Sequence, residues 1–346
     1  MSFFNIFCKR LKRIFCYYKE YNNYNIAIFL LNYNFRGGLM NNTELTVTNA
    51  KDNSYVLKNK SKEKDSIDNL EKAFDNICND LTCAFYRLGR LKNSTIEEIK
   101  NISQLLQIHL TDYNSIINDI LMHGSGEDCI YRHGLNVAML SYVLGMWIGL
   151  DKNKLNLLTY AALLHDIGKT KVDYNVLNKR RNFNESDLAA VKNHSLLGYK
   201  IVQNINFLDK SVAQGILMHH EKLDGSGYPL GIKDDKICQF ARIIAIADIF
   251  DAVNSDRIYR KKKSPLEAAR IIKNESFGKL DYEYCNIFLE HILSYYNGKE
   301  IMLNNKMKAT LVKVDINSLD KPLLLLEDGF LELIECPELY IEKFII

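Results

Sequence analysis

Apolar residues recur every three or four positions over most of the chain, and the period changes only near its end. Ile67, Leu70, Phe74, Ile77, Leu81, Ala84 and Leu88 form the seam of an amphipathic helix. A second helix opens at Ser94 with Glu97 three residues on, a capping-box pair, and carries Ile99, Ile102, Leu106, Tyr113, Ile117 and Ile120. Together they predict a helical hairpin over 67–126. Such a seam packs either on the domain's own core or on a second copy of the chain, which leaves a homodimer through the hairpin open. Helical periodicity continues from Tyr131 to about residue 296, predicting an all-helical domain over 127–298. After Gly298, Leu311 to Ile316 alternate, Leu323 to Leu326 make a short apolar run, and Asp328-Gly329 offers a hairpin turn before Phe330 to Ile334. The chain therefore reads as mainly α with a small β-rich module over 299–346. Residues 41–66, rich in Asn, Lys, Ser and Asp, read as a linker or poorly ordered stretch, so that 1–66 forms a variable N-terminal segment.

Composition narrows the class. A chain of 346 residues that is 47% hydrophobic and 25% charged can build a substantial core. A net charge of +3 is too small to argue for a DNA or RNA polymer as partner, although Arg257, Arg260 and Lys261 to Lys263 make a local basic patch suited to phosphates. Eight scattered cysteines fit a reducing compartment and a cytoplasmic protein, not a disulfide scaffold. Lys9, Arg10, Lys12 and Arg13 lie among Phe3, Phe4, Ile6, Phe7 and Phe15. Residues 1–18 thus read either as a weak membrane-surface helix or as an ill-ordered leader, with Met40 an alternative start. No apolar run reaches spanning length.

The candidate chemistry is concentrated in histidines. Five of the eight fall between His133 and His220. His133 shares a helical face with Val137, Leu140 and Leu144, so its imidazole is expected to point inward. His165-Asp166 closes the apolar run Ala161 to Leu164 and is followed by Gly168 and Lys169, a cation placed to reach a metal-bound phosphate oxygen. His194 is expected on one buried face with Leu188, Val191 and Gly198, and His219-His220 at the end of a helix carrying Val212 and Ile216. Asp248 follows Phe240, Ile244 and Ala247, a carboxylate in apolar surroundings that would be costly without a cation. His133, His165, Asp166, His194, His219, His220 and Asp248 supply enough nitrogen and oxygen donors for two ions sharing Asp166. Beside them runs the glycine-hinged loop Asp224-Gly225-Ser226-Gly227-Tyr228-Pro229.

In this order, His165-Asp166 with Gly168-Lys169, His194, His219-His220-Glu221, Asp224-Gly225, Gly227-Tyr228-Pro229 and Ala247-Asp248 through Asp256-Arg257 resemble the HD-GYP subgroup of the HD-domain phosphohydrolases. The resemblance runs from about residue 67 to the end, with the motifs between about 127 and 270. It implies an HD-type all-helical domain with a preceding hairpin and a small β appendage. It also implies a phosphodiesterase that opens bis-(3′,5′)-cyclic di-GMP to linear pGpG, with the final product, pGpG or GMP, left open, through metal-activated hydroxide at an iron or manganese site. Asp166 would bridge the ions and Lys169 would steady a non-bridging oxygen. Lys169, Asp224, Gly225, Gly227, Tyr228, Arg257 and Arg260 would line the ligand.

Cys129 stands where some family members carry a Glu that binds a third metal, which argues for two ions and not three. Gly134 replaces a frequent Ser, and Arg180-Arg181 a frequent Pro-Gly. Two further readings stay open: an HD phosphohydrolase acting on another nucleotide such as cyclic GMP-AMP, and a silent cyclic di-GMP receptor. Against the receptor, none of the seven donors is missing.

Overall fold

A computed structural model describes the strand segments 45–49 and 55–59, positions 101, 103 and 104, and residues 113–125, 130–177, 179, 184–205, 208–255 and 265–345. The chain divides into two units, Met1–Ser66 and Ile67–Ile346. The predicted seam at 67–88, the Ser94–Glu97 cap, Cys129, Arg180, Arg181, Arg257, Arg260 and residues 1–18 lie outside the described residues.

In the first unit β1 (Leu45–Asn49) pairs antiparallel with β2 (Tyr55–Asn59), Leu45 opposite Asn59 and Val47 opposite Leu57. The reading of 41–66 as a linker or poorly ordered stretch did not include this strand pair. The β-branched residues Thr46, Val47, Thr48 and Val56 flank the turn-forming Asp52, Asn53 and Ser54, a hairpin signal outweighed by the polar composition.

The described residues of the second unit are mainly helical. Its described helices are α1 (Tyr113–His123), α2 (Ile130–Trp147), α3 (Lys152–Leu163), α4 (Tyr174–Leu177), α5 (Glu185–Lys192), α6 (His194–Val202), α7 (Lys210–Met218), α8 (Gln239–Asn254), α9 (Pro265–Glu275) and α10 (Tyr282–Ser294). Local chemistry explains their ends. Gly149 (φ +82°) closes α2 with its N–H on Met146 O while Leu150 N–H reaches Gly145 O, a Schellman pair. Asp151, Asp209 and Asp281 cap α3, α7 and α10 through their carboxylates, and Asn184 with Asp187 forms a capping box on α5.

The core lies where α2, α3, α7 and α8 cross, and α6 rests on the 3₁₀ turn Ile167–Lys171 that follows α3. Ile116, Ile117, Ile120 and Leu121 of α1 are fully or almost fully buried in the same core. Asn254 Nδ2 donates to Ile120 O at 2.7 Å and Ser125 N–H to Ser255 Oγ at 2.7 Å, tying the end of α1 to the end of α8. Among the described residues no helix is long and apolar enough to cross a membrane.

A five-stranded antiparallel sheet closes the chain: β3 (Glu300–Leu303), β4 (Lys308–Lys313), β5 (Leu323–Leu326), β6 (Gly329–Glu332) and β7 (Ile341–Phe344), in spatial order β6-β5-β4-β3-β7. Two strands, β3 and β7, were not expected, being too short to show alternation. The strand expected over 311–316 ends at Lys313, and the one expected over 330–334 ends at Glu332, where Leu333–Glu335 turns as a 3₁₀ helix and buries Leu333. Ile301, Leu303, Leu311 and Leu324 join the helical core, so the sheet extends that core and has none of its own.

Candidate metal centre

Three helix ends and two helix flanks deliver the donors. His165 and Asp166 fall in the turn between α3 and the 3₁₀ turn, where Gly168 allows backbone contact that no other residue would. A Cβ on Gly168 would stand 1.9 Å from His194 O and 2.5 Å from Gly198 N. The close approach of this turn to α6 is what sets His194 beside Asp166. His219 and His220 follow the last residue of α7, His133 sits in the first turns of α2, and Asp248 lies midway along α8.

All seven predicted donors meet in one network. Asp166 Oδ2 lies 3.4 Å from His165 Nε2 and 3.8 Å from His133 Nε2, while its Oδ1 lies 3.3 Å from His194 Nε2. Asp248 Oδ1 is 3.1 Å from His133 Nε2 and its Oδ2 is 3.9 Å from His220 Nδ1. Two groups of donor atoms are each compact enough for one ion: His133, His165 and Asp166, and His194, His219 and His220. The two oxygens of Asp166 face one group each, Oδ2 toward His133 and His165 and Oδ1 toward His194, so the carboxylate would be shared between them.

The tautomers are set by the protein. His165 Nδ1 donates to Ala162 O at 2.7 Å, His194 Nδ1 to Val191 O at 2.6 Å and His219 Nδ1 to Ile216 O at 2.7 Å. Each ring thereby turns an Nε2 lone pair toward the centre, the usual outer-shell arrangement for a metal-binding imidazole. Burial keeps His194, His219 and His220 neutral: His194 is held below the usual imidazole range, His219 far below it and His220 at about 3, despite the nearby carboxylates. Two bare nitrogens, His194 Nε2 and His219 Nε2, face each other at 3.3 Å, and His165 Nε2 is buried without any hydrogen-bond partner. A buried acceptor without a donor is expensive, and a cation would satisfy all three. The donors are nitrogen and oxygen, which suits iron, manganese or zinc over a thiolate-preferring ion. The site fits a pair of divalent metals.

Electrostatics support the carboxylates. Burial opposes the charge on Asp166, but Lys169 at 2.5 Å holds its carboxyl well below the usual range. Asp248 is likewise held well below it, burial being overcome first by His133. Burial also disfavours a charged His133, yet its hydrogen bonds to Asp248 and Asp251 raise it to about 9.

Several contributors escaped the sequence reading. Asp251, fully buried, accepts from His133 Nδ1 at 2.7 Å and from Asn136 Nδ2 at 2.8 Å. Asp248 and Asp251 share one face of α8, as do His133 and Asn136 on α2, and that paired i,i+3 spacing is the signal that could have found them. Glu221 is buried and accepts from Leu230 N–H at 2.6 Å and Ile232 N–H at 3.2 Å, pinning the far end of the loop that carries Tyr228.

The loop residues are placed as follows. The Tyr228 ring lies 4.7 Å from that of His220, tilted by 31°. Gly227 sits against the backbone of His220 to Lys222, where a Cβ would come within 2.5 Å of His220 O, and Gly225 adopts φ +79°. Asp224 is exposed, and its carboxylate accepts from Ser226 N–H at 2.9 Å and Ser226 Oγ–H at 2.6 Å, closing the turn. Lys169 pairs with Asp166. Leu188, expected on the buried face with His194, is 48% exposed, because α5 stops at Lys192 and the helical phase is not carried across Asn193 into α6.

Comparison with known proteins agrees with this geometry. The sequence profile described as "HD domain" matches residues 113–283. A cyclic di-GMP phosphodiesterase of Pseudomonas aeruginosa is 30% identical over 181 residues, covering 52% of this chain and 44% of that protein. Residues 113–283 thus match an HD domain. The 3′3′-cGAMP-specific phosphodiesterase 1 of Vibrio cholerae is 35% identical over 167 residues, covering 48% of this chain and 38% of that protein. The chain thus spans less than half the length of either relative. An HDG"Y"P protein of Bdellovibrio bacteriovorus shares the HD-GYP fold at a TM-score of 0.51 and 18% identity, over 73% of this chain and 95% of that one.

Proposed function

We propose that this chain is a metal-dependent phosphodiesterase that opens bis-(3′,5′)-cyclic di-GMP to linear pGpG, further cleavage of which would give GMP. The observation that carries the reading is the buried, unpartnered Nε2 of His165 beside Asp166, in a network where imidazole nitrogens face one another without a proton donor between them. Two iron or manganese ions bound there would supply Lewis acidity, lowering the pKa of water and offsetting charge on the phosphoryl oxygens.

The protein's own residues have separable tasks. His133 and His165 on one side, and His194, His219 and His220 on the other, would hold the pair, with Asp166 shared between them and Asp248 completing the set. Lys169 keeps Asp166 ionised and reaches the space where a non-bridging oxygen would lie. Tyr228, standing on His220, offers a face for a base, and Arg257 and Arg260 would hold phosphate or guanine edges with their planar forks. The carriage of two bound ions by seven donors leaves no position calling for Cys129. Scattered cysteines favour the cytoplasm as the site of action, and a dimer through 67–126 belongs to the same reading, checked by light scattering at micromolar concentration.

A second substrate is favoured by one observation: the Vibrio cholerae relative at 35% identity is a 3′3′-cGAMP-specific enzyme. Anaerobic purification, metal analysis and chromatographic assay of both cyclic dinucleotides, beside an Asp166→Ala variant, test the reading. Loaded wild type should cleave at least cyclic di-GMP, and the variant should not. Metal-free protein that cleaves as fast as loaded protein overturns the mechanism, and tight binding without turnover under every metal loading makes the chain a receptor.

A further inference from the structure

A cyclic dinucleotide carries two phosphates, and a two-metal centre acts on one at a time. The other phosphate and its base must lie beside the donors. One flank of the centre opens into a cleft of about 530 Å³ lined by Ala189, Ala190, Lys192, Asn193, Tyr228 and Pro229, a size within the roughly 300–1,000 Å³ of small-molecule sites. Both of its walls run directly into metal donors. Asn193 precedes His194 at the α5–α6 break, and the Tyr228 ring lies 4.7 Å from His220 and 6.5 Å from His194.

Lys192 stands at the rim with its Nζ 5.4 Å from the centre of the Tyr228 ring. Lys169, Lys179, Lys222 and Lys279 are each held by an Asp or Glu carboxylate. The Lys192 ammonium has no carboxylate partner among the described residues. Its one described contact is the aromatic ring that also touches His220. Ala189 and Ala190, with their small side chains, line the same cleft.

We propose that Lys192 binds the non-reacting phosphate of the cyclic dinucleotide in this cleft, with Tyr228 as the wall against which the attached base rests. The assignment rests on the phosphodiesterase reading above and adds to it a residue that determines substrate size. A compact ammonium suits a phosphate as a point charge, without the bidentate geometry an arginine would impose. A phosphodiester that lacks a second nucleotide gains nothing from it.

The test is steady-state kinetics of full-length, metal-loaded protein on cyclic di-GMP, on cyclic GMP-AMP and on bis(p-nitrophenyl) phosphate, with Lys192→Met and Lys192→Arg. Lys192 is exposed and its substitution leaves the core untouched. Lys192→Met should raise KM for the cleaved cyclic dinucleotide about tenfold, as loss of one charge-assisted contact predicts, with kcat nearly unchanged. Kinetics on bis(p-nitrophenyl) phosphate should stay within about twofold of wild type, and Lys192→Arg should recover most of the loss. An unchanged KM for the dinucleotide, or an equal loss on both substrate classes, overturns the subsite alone. Wild type that cleaves bis(p-nitrophenyl) phosphate but neither cyclic dinucleotide overturns the substrate reading and the subsite with it.

Discussion

Asp251 and His133 are joined across 118 positions of sequence by a 2.7 Å hydrogen bond, Nδ1–H to carboxylate, inside a fully buried pocket that Asn136 closes from α2. The bond turns His133 Nε2 toward Asp166 and Asp248 and makes the ring a better donor. Asp251 touches no other predicted ligand among the described contacts, so its influence on the centre runs through His133. Asp251→Asn should therefore weaken metal binding by about tenfold to a hundredfold, the usual cost of losing an outer-shell partner. Calorimetric titration of metal into the apo variant, beside circular dichroism to verify folding, checks this. Wild-type affinity in a folded variant would remove Asp251 from the site.

Gly168 is the hinge on which the centre is assembled. A methyl group there has no space between His194 O at 1.9 Å and Gly198 N at 2.5 Å, and both obstacles are backbone. Gly168→Ala should cost at least about 2 kcal/mol and lower metal affinity, since α6 must retreat and take His194 with it. Gly149→Ala is the contrast: its Cβ would meet nothing within 4 Å, so only the left-handed backbone penalty of about 1–2 kcal/mol applies and metal binding should be untouched. Urea denaturation and metal titration of both variants separate the two effects.

Glu221 fastens the loop that Tyr228 rides on. Removing its carboxylate leaves the N–H groups of Leu230 and Ile232 without their acceptor, a loss of about 1–3 kcal/mol in local stability. Hydrogen exchange should show both amides opening faster in Glu221→Ala, while the amides of α2 and α3 keep wild-type protection. Unchanged exchange at Leu230 and Ile232 would mean the loop is held by other contacts.

Metal should stabilise the fold as well as activate it. The donors come from α2, α6, α8 and the turns after α3 and α7, so an ion bound there crosslinks most of the helical core. Binding to the native state alone adds about 2.7 kcal/mol at a free-metal concentration one hundred times Kd. Chelation should lower the thermal midpoint of wild type. In Asp166→Ala, which lacks the shared carboxylate, the chelator-induced shift should shrink, and a shift of wild-type size would place the bound metal elsewhere.

The described helices from α2 onward and the donors were legible because each is marked within a few residues: a three-to-four apolar period, a capping residue, or a histidine at the end of a buried stripe. The β module was half legible. Asp328-Gly329 gave its turn away, whereas four-residue β3 and β7 are recognisable only through partners, Ile301 opposite Ala309 and opposite Phe344. The strand pair in 45–59 was obscured because polar composition and β-branched pattern point in opposite directions there.

By itself, the order of residues determined which atoms are available for chemistry: five imidazoles and two carboxylates, each brought by a helix whose apolar face points it inward. Folding decided how those atoms are used. The choice of Nε2 as the donor of His165, His194 and His219, the division of Asp166 between two groups, Asp251 behind His133, and Lys192 over Tyr228 all depend on contacts between distant segments. The physical reason is range: helix periodicity acts over one or two turns, while a hydrogen bond across a buried core requires two elements to be packed at a fixed distance first.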